Sequence, residues 1–484
     1  MKTLLPYFVL CTLVFSFLGC KKNSSEEDML ALNKARASAP AISASGYSKN
    51  LVISEEGFAQ IKSDIASSSD AQAFIANNIT QDANTALGST PQPISTLPSA
   101  DYSLPVTTDA NLVYKSALQF FLFQENENAA EYRDRSRDII LAWVDANNVS
   151  TEHTPNETYY LGFFHGYSLI RAFIDEESRV KIDNWFIAKY NVYKNAAVRT
   201  NNWETIRGLF MLEIAYMVDN VTYISEAKAV LQAHFNQDTR IDGANYDFVH
   251  RDAFAYHAYN LNFIGMILRS IAVHDGIQEA TNWVNNRTLR WRAGNGVNGG
   301  TIADQIKFWV PYLTDPSNNV HYEFANTLNS PDLNRSDYNT VYRPTSTYYA
   351  LNQMLFAMNE QVNDIYRIVL PTRTRYNGDL NYYLNSFGFT AVEEIATQIF
   401  VYSDVNYSTL GVALSAGNYT LAQMVALGIP NDNLSSVGVP EGMRVTLYEN
   451  DNFTGNNLVL TEHTANLTSL NFNDKASSIK VEKL

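Results

Sequence analysis

From Leu112 onward, apolar positions recur at three- and four-residue spacing over eight successive blocks: 112–124, 130–146, 158–174, 179–193, 203–218, 224–235, 248–273 and 277–291. Such spacing gathers apolar side chains on one helix face, so each block predicts an amphipathic α-helix. The links between blocks are short and polar, as in antiparallel helix pairs. Similar blocks begin near Leu51 and break at a Pro- and Ser-rich stretch, Ser89 to Pro105, which predicts a loop. No strand alternation is strong enough here to predict a parallel sheet. The expected architecture is a mainly α domain, an α/α toroid, with an irregular helical bundle as the alternative. After Phe389 the pattern changes to short β-prone runs between turn residues, predicting a small all-β domain.

The β-prone region repeats itself. Tyr402-Ser-Asp-Val-Asn-Tyr407 is matched by Tyr448-Glu-Asn-Asp-Asn-Phe453, and Asn431-Asp-Asn-Leu-Ser-Ser436 by Asn473-Asp-Lys-Ala-Ser-Ser478. Each second motif is followed by a β-run, 437–439 and 479–481, as in a two-repeat sandwich.

At the other end, Lys2 precedes an apolar run from Leu4 to Leu18 that reaches Gly19-Cys20, too short to span a bilayer as a mature helix. It resembles a bacterial lipoprotein signal, with an ordinary secretory signal as the alternative; Phe17 is bulkier than the usual residue at that place. Cys11 would then leave with the signal and Cys20 would carry lipid, so the mature chain would have no disulfide. The stretch from Lys21 to Ser48 lacks apolar periodicity and reads as a flexible tether. The organisation expected is a signal at 1–20, a tether at 21–48, a helical domain at 49–395 and a β domain at 396–484. The implied location is the bacterial outer membrane, on its periplasmic or cell-surface side.

Charge narrows the partners. The 484-residue chain carries a formal net charge of −15 with 46% hydrophobic residues, a soluble globular composition that repels polyanions at long range. No nucleic acid partner is expected, and an anionic substrate would need a local cluster of cations. The 29 Tyr and 25 Phe suit stacking on sugars, and equally a large core.

Candidate chemistry concentrates in three places. The stretch 242–260, DGANYDFVHRDAFAYHAYN, holds two histidines, an arginine and three tyrosines. Read as helix from Phe248, it places His250, Phe254, His257 and Leu261 on one face, as in a cleft lining or as a core histidine satisfied by a neighbouring carbonyl. Asn201-Asn202-Trp203-Glu204 has capping-box spacing, and a helix start also offers N–H groups to an anion. Lys307-Phe-Trp-Val-Pro-Tyr312 and His321-Tyr-Glu-Phe324 mix cation, aromatics and titratable groups in a segment that reads as irregular. Arg287, Arg290 and Arg292 form a further basic cluster, most simply a solvated helix face.

The order Asn-Asn-Trp, then Arg-Asp-Ala-Phe-Ala-Tyr-His, then Val-Pro-Tyr and His-Tyr-Glu-Phe resembles the alginate lyase superfamily of polysaccharide lyases with helical toroid folds, over roughly Leu112 to Ala350. The resemblance implies β-elimination on a uronate polymer: loss of the C5 proton and expulsion of the 4-O-linked sugar. That chemistry needs a neutralised carboxylate, a base near C5 and an acid at the leaving oxygen. In the family an Asn neutralises the carboxylate while His and Tyr handle protons, which carries over to Asn202, Tyr256 and His257. Many relatives have His directly after the Asn; Trp203 stands there in this chain and supplies no base. Asn202, Arg251 and Lys307 are then the candidates to neutralise the uronate. Tyr312 and Tyr256 compete as a tyrosine serving as both base and acid in a syn elimination, with His257 neutralising charge or assisting. A phenol titrating near ~10 needs a neighbouring cation to act as base at neutral pH, and Arg251 or Lys307 could supply it. Two other classes stay open: a glycoside hydrolase on paired carboxylates from Asp242, Asp247 and Asp252, and a non-catalytic glycan-binding lipoprotein.

The C-terminal repeat resembles the βγ-crystallin Greek-key pair with its calcium motif. The resemblance implies Ca²⁺ held by Asp432, Asn433 and Ser435 in one copy and by Asp474, Lys475 and Ser477 in the other, through side-chain oxygens and loop carbonyls.

Overall fold

A computed structural model describes residues 40–96, 105–149, 155–285, 299–354, 376, 379–387, 398–405, 412–439 and 442–484. The signal at 1–20, Cys20, most of the tether and the Arg287, Arg290 and Arg292 cluster lie outside them. The stretch read as tether is already packed at its end: Tyr47 and Ser48 are buried, and the Tyr47 ring meets Phe58 and Phe121.

The first part is helical: α1 (Glu55–Ser67), α2 (Ser69–Ile75), α3 (Gln81–Gly88), α4 (Pro105–Leu122), α5 (Ala129–Ala146), α6 (Leu161–Ile170), α7 (Glu176–Asn195), α8 (Asn202–Met217), α9 (Val221–Asp238), α10 (Tyr246–Arg251), α11 (Phe254–Asp275), α12 (Ile277–Asn285), α13 (Ile302–Thr314), α14 (Tyr348–Met354) and α15 (Leu380–Asn385). Two rows emerge. Helices α4, α6, α8, α11 and α14 pack one against the next, and α6, α8 and α11 are buried almost all round. Helices α5, α7, α9 and α12 lie outside them and bury one face each. This is the double-row α/α arrangement that the apolar spacing predicts.

Three local expectations fail, each for a physical reason. The predicted helix 248–273 is two helices, because Asp252 takes a left-handed conformation (φ 52°) that ends α10. His250 and His257 therefore do not share a helix face; His250 stacks on Tyr246 instead. Lys307–Tyr312 is helical, not irregular, since Thr301 and Asp304 form a capping box that starts α13 and Pro311 falls in its last turn. At α8, Asn201 caps the Trp203 N–H, but Glu204 does not complete a box; its carboxylate holds Arg207 (2.5 and 3.0 Å) and the Arg199 N–H (3.0 Å).

The C-terminal part is β-rich from Gln398. Its strands are β3 (Gln398–Tyr402), β4 (Val412–Ser415), β5 (Gly417–Tyr419), β6 (Ser436–Gly438), β7 (Met443–Asn450), β8 (Thr454–Leu460) and β9 (Ser478–Lys483), after the two-residue hairpin β1 (Tyr322–Glu323) and β2 (Thr340–Val341). They form two antiparallel sheets, β4-β3-β6 and β5-β9-β7-β8. The repeats interlock: β5 of the first pairs with β9 of the second, while Thr464 of the second bridges to Val437 of the first. The larger sheet takes its edge strand β5 from the first repeat and the smaller one only the Thr464 bridge from the second, and both repeats fold around one core running from Ile399 to Val481.

Candidate functional site

The chain reverses between α10 and α11, bringing the end of one helix over the start of the next. Arg251 closes α10, and its guanidinium lies 3.8 Å from the centre of the Tyr256 ring in the first turn of α11. Asp332 fixes that guanidinium, accepting from one nitrogen at 2.9 and 3.0 Å. A second guanidinium, Arg335, lies 5.5 Å from the same ring and is held by Asp337 at 2.8 Å. The Tyr256 hydroxyl has no hydrogen-bond partner among the described residues. Burial raises the Tyr256 pKa, against the opposing pull of Arg251 and Arg335. A cation is therefore in place, yet the resting hydroxyl keeps its proton: it is set to donate rather than to accept.

The loop between β1 and β2 supplies the far wall. The Asp252 carbonyl accepts from the Phe324 N–H (2.8 Å) and His321 Nε2 (3.0 Å), while its carboxylate takes the Asn326 N–H and side-chain amide. Because His321 Nε2 donates, Nδ1 is the ring nitrogen left to offer a lone pair. The ring packs beside Phe254, Phe248 and Tyr312. Glu323 caps the bare start of α11, accepting the Ala255 N–H at 3.2 Å. Burial, stronger than its two backbone hydrogen bonds, raises its pKa to about 7.

The predicted residues fall into distinct environments. Tyr312 packs on Phe254 (4.5 Å between ring centres), and burial raises its pKa with Asp242 and Asp252 adding to the effect. The charges facing it are thus negative, whereas at Tyr256 Arg251 and Arg335 act more strongly than Asp332 and Asp247. Lys307 is partly exposed on α13. Asn202 is buried; its backbone N–H donates to Asp247 (2.7 Å), and its side-chain oxygen is buried without a partner among the described residues. His257 is fully buried among Phe248, Phe254, Phe308 and Trp309, with Nε2 donating to the Gln305 carbonyl at 2.9 Å. Burial lowers its pKa to about 4, so the ring is neutral near pH 7 and carries no charge to offer a substrate. Its hydrogen bond ties the first turn of α11 to α13. Asp332, Arg335 and His321 are the partners that motif spacing did not assign.

The two C-terminal motifs face each other in a pseudo-symmetric pair. Asp432 and Asp474 both adopt left-handed turns (φ 50° and 52°). The Asp432 N–H donates to the Ala476 carbonyl and the Asp474 N–H to that of Leu434, at 3.4 and 3.0 Å. The Ser477 hydroxyl donates to Asp432 at 3.2 Å.

Comparison with known proteins agrees with this division. Residues 127–318 match the family model described as Alginate lyase, and residues 444–483 that of Beta/Gamma crystallin. Development-specific protein S of Myxococcus xanthus is 42% identical over 83 residues, 17% of this chain and 47% of the relative; its homolog in the same organism is 39% identical over 83 residues, covering 46%. The chain spans just under half the length of these curated relatives. Among solved structures, a double mutant of a betagamma-crystallin domain from Clostridium beijerinckii is 44% identical, covering 18% of this chain and 97% of that one (TM-score 0.17). A clostrillin double mutant in complex with nickel is 41% identical, covering 18% and 100% (TM-score 0.18). The chain thus carries an alginate lyase family domain in its helical part and a beta/gamma crystallin domain at its C-terminus.

The raised Glu323 pKa gives a testable sign. A carboxyl that ionises near 4.5 when unfolded and about 7 when folded contributes its full stability below pH 4.5 and loses it as pH rises through 7. Glu323→Gln removes that loss. Its thermal midpoint should exceed wild type at pH 8, equivalent to roughly 2 kcal/mol, with the gap closing near pH 4. A gap independent of pH would show that Glu323 ionisation is not responsible.

Proposed function

We propose that the protein is a polysaccharide lyase that cleaves a uronate-containing, alginate-like polymer by β-elimination. The observation that carries this reading is the Arg251 guanidinium against Tyr256, whose hydroxyl is unengaged among the described residues, inside the segment matched to the alginate lyase family. Tyr256 donates its proton to the departing O4, and the negative charge that develops on its oxygen is met by Arg251 and Arg335. Tyr312 is the weaker candidate because Asp242 and Asp252 oppose charge there. The Nδ1 lone pair of His321 is the base for the C5 proton, replacing the tyrosine base expected from sequence, since burial keeps both phenols protonated. Asn202, Arg251 and Lys307 remain the groups for the uronate carboxylate.

The hydrolase alternative needs two carboxylates free to act, and its three candidates serve the fold. Asp242 pairs with Arg240 at 2.5 Å, Asp247 holds the Asn202 N–H, and Asp252 holds Asn326. Lipid on Cys20 is the proposed anchor, placing the enzyme at the outer membrane. Among the described residues no helix is long and apolar enough to cross a membrane.

Calcium is the proposed ion of the C-terminal domain. Among the described residues no three His, Cys, Asp or Glu groups cluster as a metal site. One carboxylate per loop, a serine hydroxyl and backbone carbonyls nevertheless form an all-oxygen donor set suited to a hard cation. Asp432, Asn433 and Ser435 would hold it in one copy, and Asp474, Lys475 and Ser477 in the other.

The direct test is absorbance near the ultraviolet band of a 4,5-unsaturated uronate, with alginate, glucuronan, pectate and glycosaminoglycans offered in turn. A rise on one polymer is expected, and Tyr256→Phe should lower kcat about 100-fold or more while Tyr312→Phe costs far less. New reducing ends without absorbance would indicate hydrolysis instead; silence in both assays would leave a glycan-binding protein. For the ion, millimolar calcium should raise the thermal midpoint of wild type but not of the Asp432→Asn, Asp474→Asn double variant. An equal rise in both would place the ion elsewhere.

A further inference from the structure

The C-terminal domain is packed onto the segment that carries the candidate site. Ile241, Phe400 and Tyr402 form a buried cluster of their own, joined by Tyr246, Val249 and Ala465. Tyr246 and Val249 lie on α10, the helix that ends in Arg251. The approach is close enough that a Cβ on Gly438 of β6 would sit 3.0 Å from the Ile241 side chain. From the same domain, His463 Nε2 comes within 3.8 Å of Asp304, whose carboxylate accepts the Thr301 N–H to start α13, the helix bearing Lys307 and Tyr312. The opposite face of the segment is equally confined. Gly243 (φ 90°) leaves no room for a Cβ, which would fall 1.9 Å from the Asp304 carbonyl oxygen. Two residues before Val249, Asp247 holds the N–H of Asn202. A module swinging on a linker would present a polar, solvated seam here, not a dry cluster of Ile, Phe and Tyr.

We propose that the C-terminal domain is a fixed brace behind the lyase site, with Ile241, Phe400, Tyr402 and Gly438 as positioning residues that hold the 239–251 segment so that Arg251 stays over Tyr256. The kinetic part of this inference rests on the lyase reading; the structural part does not. Displacing a charged group by a fraction of an ångström lowers turnover more than ground-state binding when the charge acts on the transition state.

The test uses the full chain carrying Phe400→Ala, which empties the cluster, and separately Gly438→Val, which wedges it. Amide hydrogen exchange in 239–251 should quicken about tenfold, and kcat should fall about tenfold with KM within about twofold, since only positioning is lost. Protection across 443–483 should persist, showing that the β domain is folded. If a variant loses that protection, Ile241→Val, which alters only the helical side of the seam, gives the same two readings on a smaller scale. Unchanged exchange in 239–251 overturns the proposal, as does faster exchange with unchanged kcat. Should the wild type eliminate no uronate, the lyase reading fails by itself and the exchange result still decides whether the domain holds the segment.

Discussion

Arg251 lies across Tyr256 because the chain passes through a single left-handed residue between them. A non-glycine residue in that conformation costs about 1 kcal/mol or more, and Asp252 offsets it with a carbonyl and a carboxylate that each take two hydrogen bonds from the 321–326 loop. The turn that separates two helices is thus the turn that docks the loop. That loop in turn delivers Glu323 to cap α11 and leads on to Asp332, the anion that fixes Arg251. Helix break, loop docking and cation placement are one unit, and disturbing any of them moves the guanidinium.

Behind this unit lies a buried polar lattice. The Thr205 hydroxyl meets His234 and Asn260, Asn260 meets Asp238, and Gln305 joins Thr239 and Asn245. It links α8, α9, α11 and α13 with the 239–245 strand-like turn. Directional bonds in a low-dielectric interior fix relative helix positions more tightly than apolar contact alone. The same interior explains His257: a histidine at the right place in a motif, walled by four aromatic rings, becomes a neutral strut. In a chain of net charge −15, Arg251 and Arg335 keep their positive charge at Tyr256 while each is anchored by one carboxylate.

The helices were legible because burial on one face imposes a period that the sequence must obey. The repeat at 431–436 and 473–478 was legible for a similar reason: two copies of one turn need the same residues. What could not be read were features set by distant partners. The break at Asp252 depends on hydrogen bonds from residues about 70 positions later, and nothing local marks it. The stretch from Lys307 to Tyr312 read as irregular, yet the capping box at Thr301 and Asp304 starts a helix there that takes Pro311 into its last turn. Arg251 and Tyr256 were visible as a motif, whereas Asp332 and Arg335 have no periodic relation to it. His321 stood in a flagged stretch, but its role follows only from which of its nitrogens donates. Trp203 faces Arg199 at 5.4 Å.

If Arg251 acts by stabilising charge on Tyr256, the two residues cannot act independently. A double-mutant cycle on uronate elimination, comparing Arg251→Ala, Tyr256→Phe and the pair by kcat/KM, measures that coupling. The geometry predicts that the double variant loses much less than the product of the two single losses, because the part of the guanidinium's contribution that acts through the phenol is already gone once the phenol is removed. Losses that simply multiply would show two separate roles and contradict the central role of the contact between them.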